Sequence, residues 1–290
     1  MQEQVKKSTR KQKTLKSASS YSGVGIHTGQ EVSMRFCPAD CGTGIYFKRV
    51  DLPGSPIIPA GVEYVFDTSR STNLCIGDMR IYTVEHVLAA LKAYEIDNLC
   101  IELNGIEPPA GNGSSDVFVQ MIEDVGVVEQ KAKTSILSLK SPVYLTEGDV
   151  HIVALPSDEY RISYTLHYPN SKALGSQYHS LAVTEKSFKD ELSPCRTFAL
   201  YEEIAYLIDR GLIRGGSLDN AVVIKDDAVF SKGGLYFPNE MVRHKILDMI
   251  GDLSLIGINF TGHIISIRSG HATNFHFAKK LFNQLSLENI

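Results

Sequence analysis

Residues 238–257 read PNEMVRHKILDMIGDLSLIG and have the period of an amphipathic helix. At about 100° of rotation per residue, one broad face collects the apolar side chains. These are Val242, Ile246, Met249, Ile250, Leu253 and Ile256. Because such a face is buried in a folded protein, we predict a core helix over residues 240–256.

The other side of this helix carries a line of polar residues. His244, Asp248 and Asp252 follow one another at spacings of four, so they lie on one face. A His and an Asp one turn apart can offer a nitrogen and an oxygen to a single ion. The same pattern is typical of a solvated helix face, but Met241 and Leu255 on this side indicate that another element covers it.

A second helix is predicted over residues 83–94, with an apolar stripe behind Thr83 as N-cap. His86 points away from that stripe, and Glu85 lies beside it. One interpretation is an ordinary surface His and a Glu matched to the helix dipole. The other is that the two helices turn their polar faces toward each other, where Gly251 permits close backbone approach. Two His, one carboxylate and a nearby Glu would then match a catalytic zinc site with an open position for water.

Outward from these helices, strands and helices are clustered along the chain without strict alternation, which predicts an α+β fold. Further helices are predicted over 117–125, 200–210 and 274–284. Predicted strands cover 32–36, 44–47, 100–103, 136–139, 150–155, 161–168, 221–224 and 264–267. The polar run 129–134 indicates a domain boundary. Neither a G-x-x-x-x-G-K motif nor a G-x-G-x-x-G motif lies between a predicted strand and a predicted helix. The sequence therefore excludes nucleotide binding through these two standard motifs.

The composition limits the classes of binding partner and the cellular compartment that we expect for this protein. Lysine and arginine number 29 against 33 acidic residues, so we expect no nucleic-acid partner. Five dispersed cysteines are typical of a reduced, intracellular protein. No apolar run is long enough for a bilayer, so we predict a cytoplasmic protein without stable membrane insertion. Residues 1–13 are rich in lysine and are expected to be a flexible basic arm.

Six motifs bring these features together: SGVGIHTG at 22–29, TVEHVLAAL at 83–91, RTF at 196–198, GGS at 215–217, RHKILDMIGDL at 243–253 and SGHATN at 269–274. From about Lys13 to the C-terminus the chain resembles the UDP-3-O-acyl-N-acetylglucosamine deacetylases, which catalyse the committed step of lipid A biosynthesis. The resemblance implies two similar α+β domains, each a sheet with helices on one face, with the helices sandwiched between the sheets. It assigns residues 14–130 to the first domain and 135–290 to the second, with an insertion around 198–224 that forms an acyl-chain passage.

The resemblance also implies a role for individual residues. His86, His244 and Asp248 would bind one catalytic Zn²⁺, with Fe²⁺ as the alternative ion in the cell, and Glu85 would be the general base. His271 would be the charged partner or acid, Asp252 would orient it, and Thr197 and Lys245 would stabilise the oxyanion. Either His271 or protonated Glu85 could protonate the departing amine.

The resemblance implies that the substrate is a UDP-linked acylated glucosamine and that the protein is a monomer. The residues implied in substrate binding are Phe198, Gly216, Arg268 and Leu74. The passage would be lined by Ile204, Leu207, Ile208, Leu212 and Ile213. Two positions depart from the family pattern: Arg268 stands where a lysine is expected, and Asn112 stands where an aspartate precedes glycine-serine. The rival hypotheses are a catalytically silent binding protein on this scaffold and an amidase for a related sugar.

Overall fold

The fold is α+β, as predicted. The computed structural model describes residues 8–287. Its helices are α1 (Glu85–Ala93), α2 (Asp116–Val125), the short α3 (Glu185–Ser187), α4 (Tyr201–Asp209), α5 (Glu240–Ser254) and α6 (His271–Leu287). The five longer helices confirm the predicted ones, with small shifts at their ends.

The strands of the first half are β1 (Ser8–Leu15), β2 (Ser19–Val24), β3 (Glu31–Pro38), β4 (Ile45–Arg49), β5 (Ile57–Pro59), β6 (Val65–Asp67), β7 (Asn73–Ile76), β8 (Met79–Ile81) and β9 (Leu99–Leu103). Those of the second half are β10 (Val127–Ser138), β11 (Val143–Glu147), β12 (Val150–Leu155), β13 (Tyr160–Tyr168), β14 (Gly175–Ala182), β15 (Phe198–Leu200), β16 (Val222–Lys225), β17 (Ala228–Phe230) and β18 (Asn259–Ile267). A turn of 3₁₀ helix covers Val62–Tyr64 and a π-helical turn covers Phe188–Leu192.

Two larger sheets form the framework. One has five strands in the order β2-β3-β9-β4-β5, and its strand β3 buries Val32, Met34 and Phe36 while the residues between them face outward. The other has seven strands, with β1-β10-β18-β12-β11 along one path and β13 and β14 joined through β18. The period of two places one face of each sheet in the core.

The N-terminal strand corrects one prediction about domain organisation. Residues 8–13 are not a flexible arm, because they belong to β1, which pairs antiparallel with β10. The polar run 129–134, where we placed a domain boundary, lies within β10, and Lys11 forms an ion pair with Glu129 across the two strands at 2.8 Å. Residues 1–7, the rest of the expected arm, lie outside the described residues.

Two small sheets flank the framework. β6, β7 and β8 form one, directly before α1 in the chain. β15, β16 and β17 form the other, together with α4 between β15 and β16, and this unit coincides with the predicted insertion. Both carry residues that approach the candidate site.

Helices α1 and α5 pack against each other at the centre of the molecule. A Cβ atom built on Gly251 would lie only 2.0 Å from the carbonyl oxygen of Glu85. The predicted close backbone approach at Gly251 is therefore confirmed, and glycine is the side chain that permits it.

The predicted N-cap of α1 is wrong. Thr83 has a φ of 55°, and its hydroxyl has no hydrogen-bond partner among residues 8–287. The backbone N–H of Thr83 instead donates to Asn73 Oδ1 at 3.0 Å, which holds Thr83 in the left-handed region. The N-cap position is occupied by the next residue, Val84. Within the described residues, none of the helices has the length and apolar character needed to span a membrane.

Candidate active site

Three side chains from α1 and α5 converge on one point. Atoms of His86, His244 and Asp248 that could bind a metal all lie within 4.8 Å of one another. Asp248 Oδ1 is 3.5 Å from His86 Nε2 and 3.3 Å from His244 Nε2. The i, i+4 spacing on α5 aligns two of these groups, and the packing of α1 on α5 adds the third.

The donor set fits a divalent cation. Asp248 Oδ1 is buried and accepts no hydrogen bond from the described part of the chain. His244 Nδ1–H donates to the Cys195 carbonyl at 3.0 Å, which leaves the lone pair of Nε2 directed at the same point. Burial lowers the pKa of His244 to about 3, so the ring is neutral. A buried carboxylate oxygen between two imidazole nitrogens is a costly arrangement unless a cation occupies it.

Asp248 is also held by a neighbouring cation. Lys245 Nζ donates to its Oδ2 at 2.8 Å. Burial alone would raise the pKa of Asp248, but the cations Lys245 and His271 lower it well below its usual range. Burial opposes the charge on Lys245 as well, yet the Asp248 carboxylate raises the pKa of Lys245 above its ordinary value. Both groups are therefore charged.

Glu85, at the start of α1, is 2% exposed and lies beside His86 in sequence. Its Oε2 accepts the Thr72 N–H at 2.9 Å, while its Oε1 lies 4.0 Å from His271 Nε2. Burial raises the pKa of Glu85, although His271 and His86 oppose the shift. A carboxylate with a raised pKa is suited to proton transfer near neutral pH.

His271 opens α6 and forms a buried couple with Asp252. Its Nδ1–H donates to Asp252 Oδ2 at 3.0 Å, and its Nε2 lies 3.9 Å from Asp248 Oδ2. Burial alone would lower the pKa of His271, but Asp252 and Asp248 raise it to about 9. The imidazole is therefore a cation at neutral pH, directed at the same space as Glu85.

One cavity of about 620 Å³ is lined by Glu85, His86, His244, Lys245, Asp248 and His271 together with the apolar wall of the predicted insertion. Asp252 is absent from its described lining. The wall includes Phe198, Ile204, Leu207, Ile208, Ile213 and Gly216, and Thr197, the predicted oxyanion residue, also lines the cavity. Leu212 was also predicted there, but it is absent from the described lining of the cavity. Loop 25–29 closes the cavity through backbone bonds from Arg214 N to His27 O and from Gly215 N to Ile26 O.

A second cavity of about 670 Å³ adjoins the first and is more polar. Lys245 and Ser269 line both, and Arg268 lines the second together with His167 and Asn170. The Arg268 guanidinium is 3.2 Å from the exposed carboxylate of Asp149. The metal-type donor set therefore lines the more apolar cavity, and the adjoining polar cavity has side chains of both charges, Lys245 and Arg268 with Glu202, Glu203 and Asp226.

The sequence matches the family model of UDP-3-O-acyl N-acetylglycosamine deacetylase (LpxC) over residues 12–283. The chain belongs to the LpxC family. Among relatives named UDP-3-O-acyl-N-acetylglucosamine deacetylase, that of Chlamydia pneumoniae is 51% identical over 279 residues, 96% of this chain and 99% of the relative. That of Chlamydia caviae is 51% identical over 276 residues, 95% and 98% of the two chains. That of Chlamydia trachomatis serovar D is 45% identical over 279 residues, 96% and 97% of the two chains.

One residue expected in the substrate site of an LpxC protein does not reach the cavity. Leu74 lies in β7 with 0% exposure and packs in the hydrophobic core. It is absent from the described lining of either cavity. Because β7 alternates its side chains between two faces, this leucine contributes to packing, and the expectation that its side chain contacts substrate is wrong.

The departure from the LpxC pattern at Asn112 has a structural explanation. Its amide Oδ1 accepts hydrogen bonds from Ser114 N at 3.2 Å and Ser114 Oγ at 2.6 Å. An aspartate could accept the same two bonds, so the loop needs the oxygen and not the charge. Ser115 Oγ then donates to the His86 carbonyl at 2.8 Å, which ties this loop to α1.

Sequence reasoning missed two residues that hydrogen-bond to Asp252 beside the candidate site. Asn274 Nδ2 donates to Asp252 Oδ2 at 2.8 Å, and its spacing of three from His271 within SGHATN was an available signal. Thr72 Oγ1 donates to Asp252 Oδ1 at 2.5 Å. Thr72 lies in a loop far from Asp252 in the sequence, so no local pattern could have indicated it.

Proposed function

We propose that this chain hydrolyses the N-acetyl group of a UDP-3-O-acyl-N-acetylglucosamine, giving the free amine and acetate in the committed step of lipid A biosynthesis. One observation carries the proposal. The His86, His244 and Asp248 donors meet in the wall of a cavity that also holds a buried Glu and an apolar passage. Near-full-length membership of the LpxC family supports the same reaction.

We assign the donor set to zinc, held by His86, His244 and Asp248. When bound, zinc would polarise the acetamide carbonyl and lower the pKa of water to about 7. Fe²⁺ accepts the same combination of nitrogen and oxygen ligands, so the ion present in the cell is a matter for metal analysis of protein purified without added metal.

Glu85 is assigned the role of general base. Its Oε1 is directed toward the cavity, since Oε2 is engaged by the Thr72 N–H at 2.9 Å. Burial raises the pKa of Glu85, which brings it closer to the pKa of the water molecule that would lose the proton. The carboxylate would take a proton from the attacking water and then hold it within reach of the leaving nitrogen.

His271 is assigned the role of a positively charged general acid that faces Glu85 across the site. The Asp252 carboxylate, 3.0 Å from Nδ1, keeps the ring oriented with Nε2 facing the cavity. With its pKa raised to about 9, His271 holds a proton at neutral pH that it can give to the departing amine. Glu85, protonated in the preceding step, is the alternative donor, and we favour His271 because its proton is present from the start.

Negative charge develops on the carbonyl oxygen as water attacks. We assign the stabilisation of this negative charge to Lys245 and the Thr197 hydroxyl, because both line the cavity beside the donor set. The Lys245 side chain is partly buried and Asp248 raises its pKa, so the ammonium keeps its positive charge.

The two cavities account for the two ends of the substrate. The apolar wall formed by α4 and the following loop would bind the acyl chain, with Phe198 and Gly216 at its inner part. The polar cavity would bind the UDP group, with Arg268 near the phosphates. Arginine is suited to that place because its planar fork pairs with phosphate oxygens.

We further propose that the molecule consists of two α+β units with their helices sandwiched between the five-stranded and seven-stranded sheets, and that it acts as a cytoplasmic monomer. The contact of α1 with α5 supports the layered arrangement. Residues 14–130 would form most of one unit and 135–290 the other, with β1 crossing to the second sheet. All five cysteines are free thiols in the described structure, which fits a reducing compartment.

Acetate release tests the proposed function. The zinc-loaded protein is incubated with UDP-3-O-acyl-N-acetylglucosamine and with a panel of other N-acyl nucleotide sugars. We expect stoichiometric acetate and free amine from the acylated substrate, and much slower release from analogues that lack the 3-O-acyl chain. Zinc-loaded protein that binds the substrate without releasing acetate would indicate a silent binding protein, and faster release from another sugar would indicate a different amidase.

A further inference from the structure

Thr72 lies between two carboxylates that belong to different helices. It directly precedes β7 and is 1% exposed. Its backbone N–H donates to Glu85 Oε2 at 2.9 Å, and its hydroxyl donates to Asp252 Oδ1 at 2.5 Å. One residue therefore contacts both the base on α1 and the carboxylate on α5 that orients His271.

The contact with Glu85 determines which carboxylate oxygen is available. Thr72 N–H engages Oε2, and the Thr72 carbonyl accepts the N–H of Val84 at 3.1 Å, just before α1 begins. Oε1 is left facing His271 Nε2 at 4.0 Å. The loop thus fixes both the helix start and the rotation of the Glu85 carboxylate.

The contact of Thr72 with Asp252 fixes the orientation of the Asp252 carboxylate. Asp252 Oδ2 accepts from His271 Nδ1–H at 3.0 Å and from Asn274 Nδ2 at 2.8 Å. Within the described chain, the hydrogen bond to Oδ1 comes from the Thr72 hydroxyl. Loss of that hydroxyl would leave a buried carboxylate oxygen unpaired, so Asp252 would rotate to recover a partner and would take the His271 ring with it.

We propose that Thr72 is a positioning residue that couples the base to the acid of the reaction, by holding Glu85 and the Asp252–His271 couple in one relative orientation. This inference rests on the proposed function. Thr72 does not line either cavity among the described residues. Its hydroxyl also lies 3.5 Å from His271 Nδ1, so it acts through Glu85, Asp252 and His271 and not on the substrate.

A purely structural role for Thr72 makes a different prediction. A buried threonine that only satisfies a carboxylate would change the stability of the protein and leave kcat per folded molecule unaltered. A positioning role lowers kcat in the folded enzyme and leaves KM and zinc content unchanged, because neither the substrate contacts nor the metal ligands are altered.

The experiment compares Thr72→Val, Thr72→Ser and Thr14→Val in the zinc-loaded full-length chain. Thr14 is the matched control, since it is 5% exposed and its hydroxyl donates to the Asn98 carbonyl at 2.6 Å, away from the cavity. We expect Thr72→Val to lower kcat about 10- to 100-fold, which is typical for loss of a supporting hydrogen bond. Thr72→Ser keeps the hydroxyl and should restore most of kcat, while Thr14→Val should keep the wild-type kcat per folded molecule.

A spectroscopic readout keeps the inference separate from the activity. The proton on His271 Nδ1 should give a downfield ¹H NMR resonance in the wild type that shifts or broadens in Thr72→Val and returns in Thr72→Ser. If Thr72→Val does not fold, Thr72→Cys, with its weak donor, should give an intermediate kcat. Wild-type kcat together with an unchanged resonance in the folded Val or Cys variant would overturn the inference. Absence of acetate release by the wild type would instead refute the proposed function.

Discussion

The two ends of the catalytic cavity are built in different ways. At the chemical end, Glu85, His244, Asp248 and Asp252 are each 2% exposed, and every one is engaged by a named neighbour. At the passage end, Ile208 is 54% exposed and contributes only apolar contact. The difference suggests that the proposed chemistry depends on fixed orientation, whereas the proposed acyl-chain binding depends on apolar area, which many side chains can supply.

The largest effect should follow removal of the base at the chemical end. Glu85→Gln keeps the size of the side chain and the acceptor for Thr72 N–H but cannot take a proton. We expect kcat to fall about 10³-fold with zinc content unchanged, because general-base catalysis contributes on this scale. Acetate release and metal analysis measure the two quantities.

Glu123→Gln is the matched control for this variant, since Glu123 pairs with Lys189 on the surface, away from the cavity. It should retain the wild-type kcat. Near-normal turnover by Glu85→Gln would show that another group takes the proton.

A second change tests whether the chemical end depends on the distance between the helices. In Gly251→Ala the new methyl group would meet the Glu85 carbonyl at 2.0 Å, so α1 must move away from α5. We expect the free energy of unfolding to fall by about 3 kcal/mol and kcat to fall about 100-fold, since overpacking is destabilising and a shift of about 1 Å misplaces the base.

Gly257→Ala provides the comparison for Gly251→Ala, because Gly257 follows the same helix. No described atom lies within 4 Å of a Cβ built there, although its φ is 69°. The variant should lose about 1 kcal/mol of stability and no activity. Equal losses of activity in both variants would show that general helix strain, and not the contact with Glu85, is responsible.

A third, smaller effect concerns pH. His271 is protonated below a pKa raised to about 9 by Asp252 and Asp248, so activity that needs its proton is present at lower pH and lost as the pH rises through that value. In Asp252→Asn the raising charge is lost, so the alkaline limb of the kcat profile should move to lower pH. We also expect kcat at neutral pH to fall about 10- to 100-fold. An alkaline limb at the wild-type pH would contradict the assignment of His271 as the acid.

The smallest effect is expected at the passage end. Ile208→Ser removes apolar area that lines the cavity, and we expect KM for a long-chain substrate to rise about 3- to 10-fold with kcat unchanged. Tyr206→Ser is the control, because Tyr206 is similarly exposed on α4 but does not line either cavity in the described structure. A fall in kcat for Ile208→Ser would show that the passage end also positions the reacting group.

The same contrast explains what could be predicted from the sequence. Helices α1 and α5 and their polar residues were predictable because helical period and i, i+4 spacing are local properties. The pairing of β1 with β10 joins residues more than a hundred positions apart. The polar, lysine-rich sequence of β1 resembles a flexible arm until its partner strand is known. Thr83 was misassigned as a cap because its backbone is fixed by Asn73, which no rule of helix capping considers.

The site could be predicted only in part for the same reason. His86, His244 and Asp248 were found from two helical patterns and the resemblance to a family. Thr72 was not, because its contact with Asp252 depends on where a loop from one half of the chain meets a helix from the other. Local sequence patterns indicated the proposed metal ligands and base, whereas the contacts of Thr72 depend on tertiary packing.

Metal content tests the central claim most directly, namely that one divalent ion is shared by a ligand from α1 and two ligands from α5. Purified wild-type protein, His86→Ala and His244→Ala are dialysed against limiting zinc, and zinc is measured per chain beside a surface control, His276→Ala, whose ring pairs with the exposed Glu147. We predict one zinc per chain in the wild type and in His276→Ala, and almost none in the other two variants. A full equivalent of zinc retained by folded His86→Ala would contradict the shared site and the hydrolase account with it.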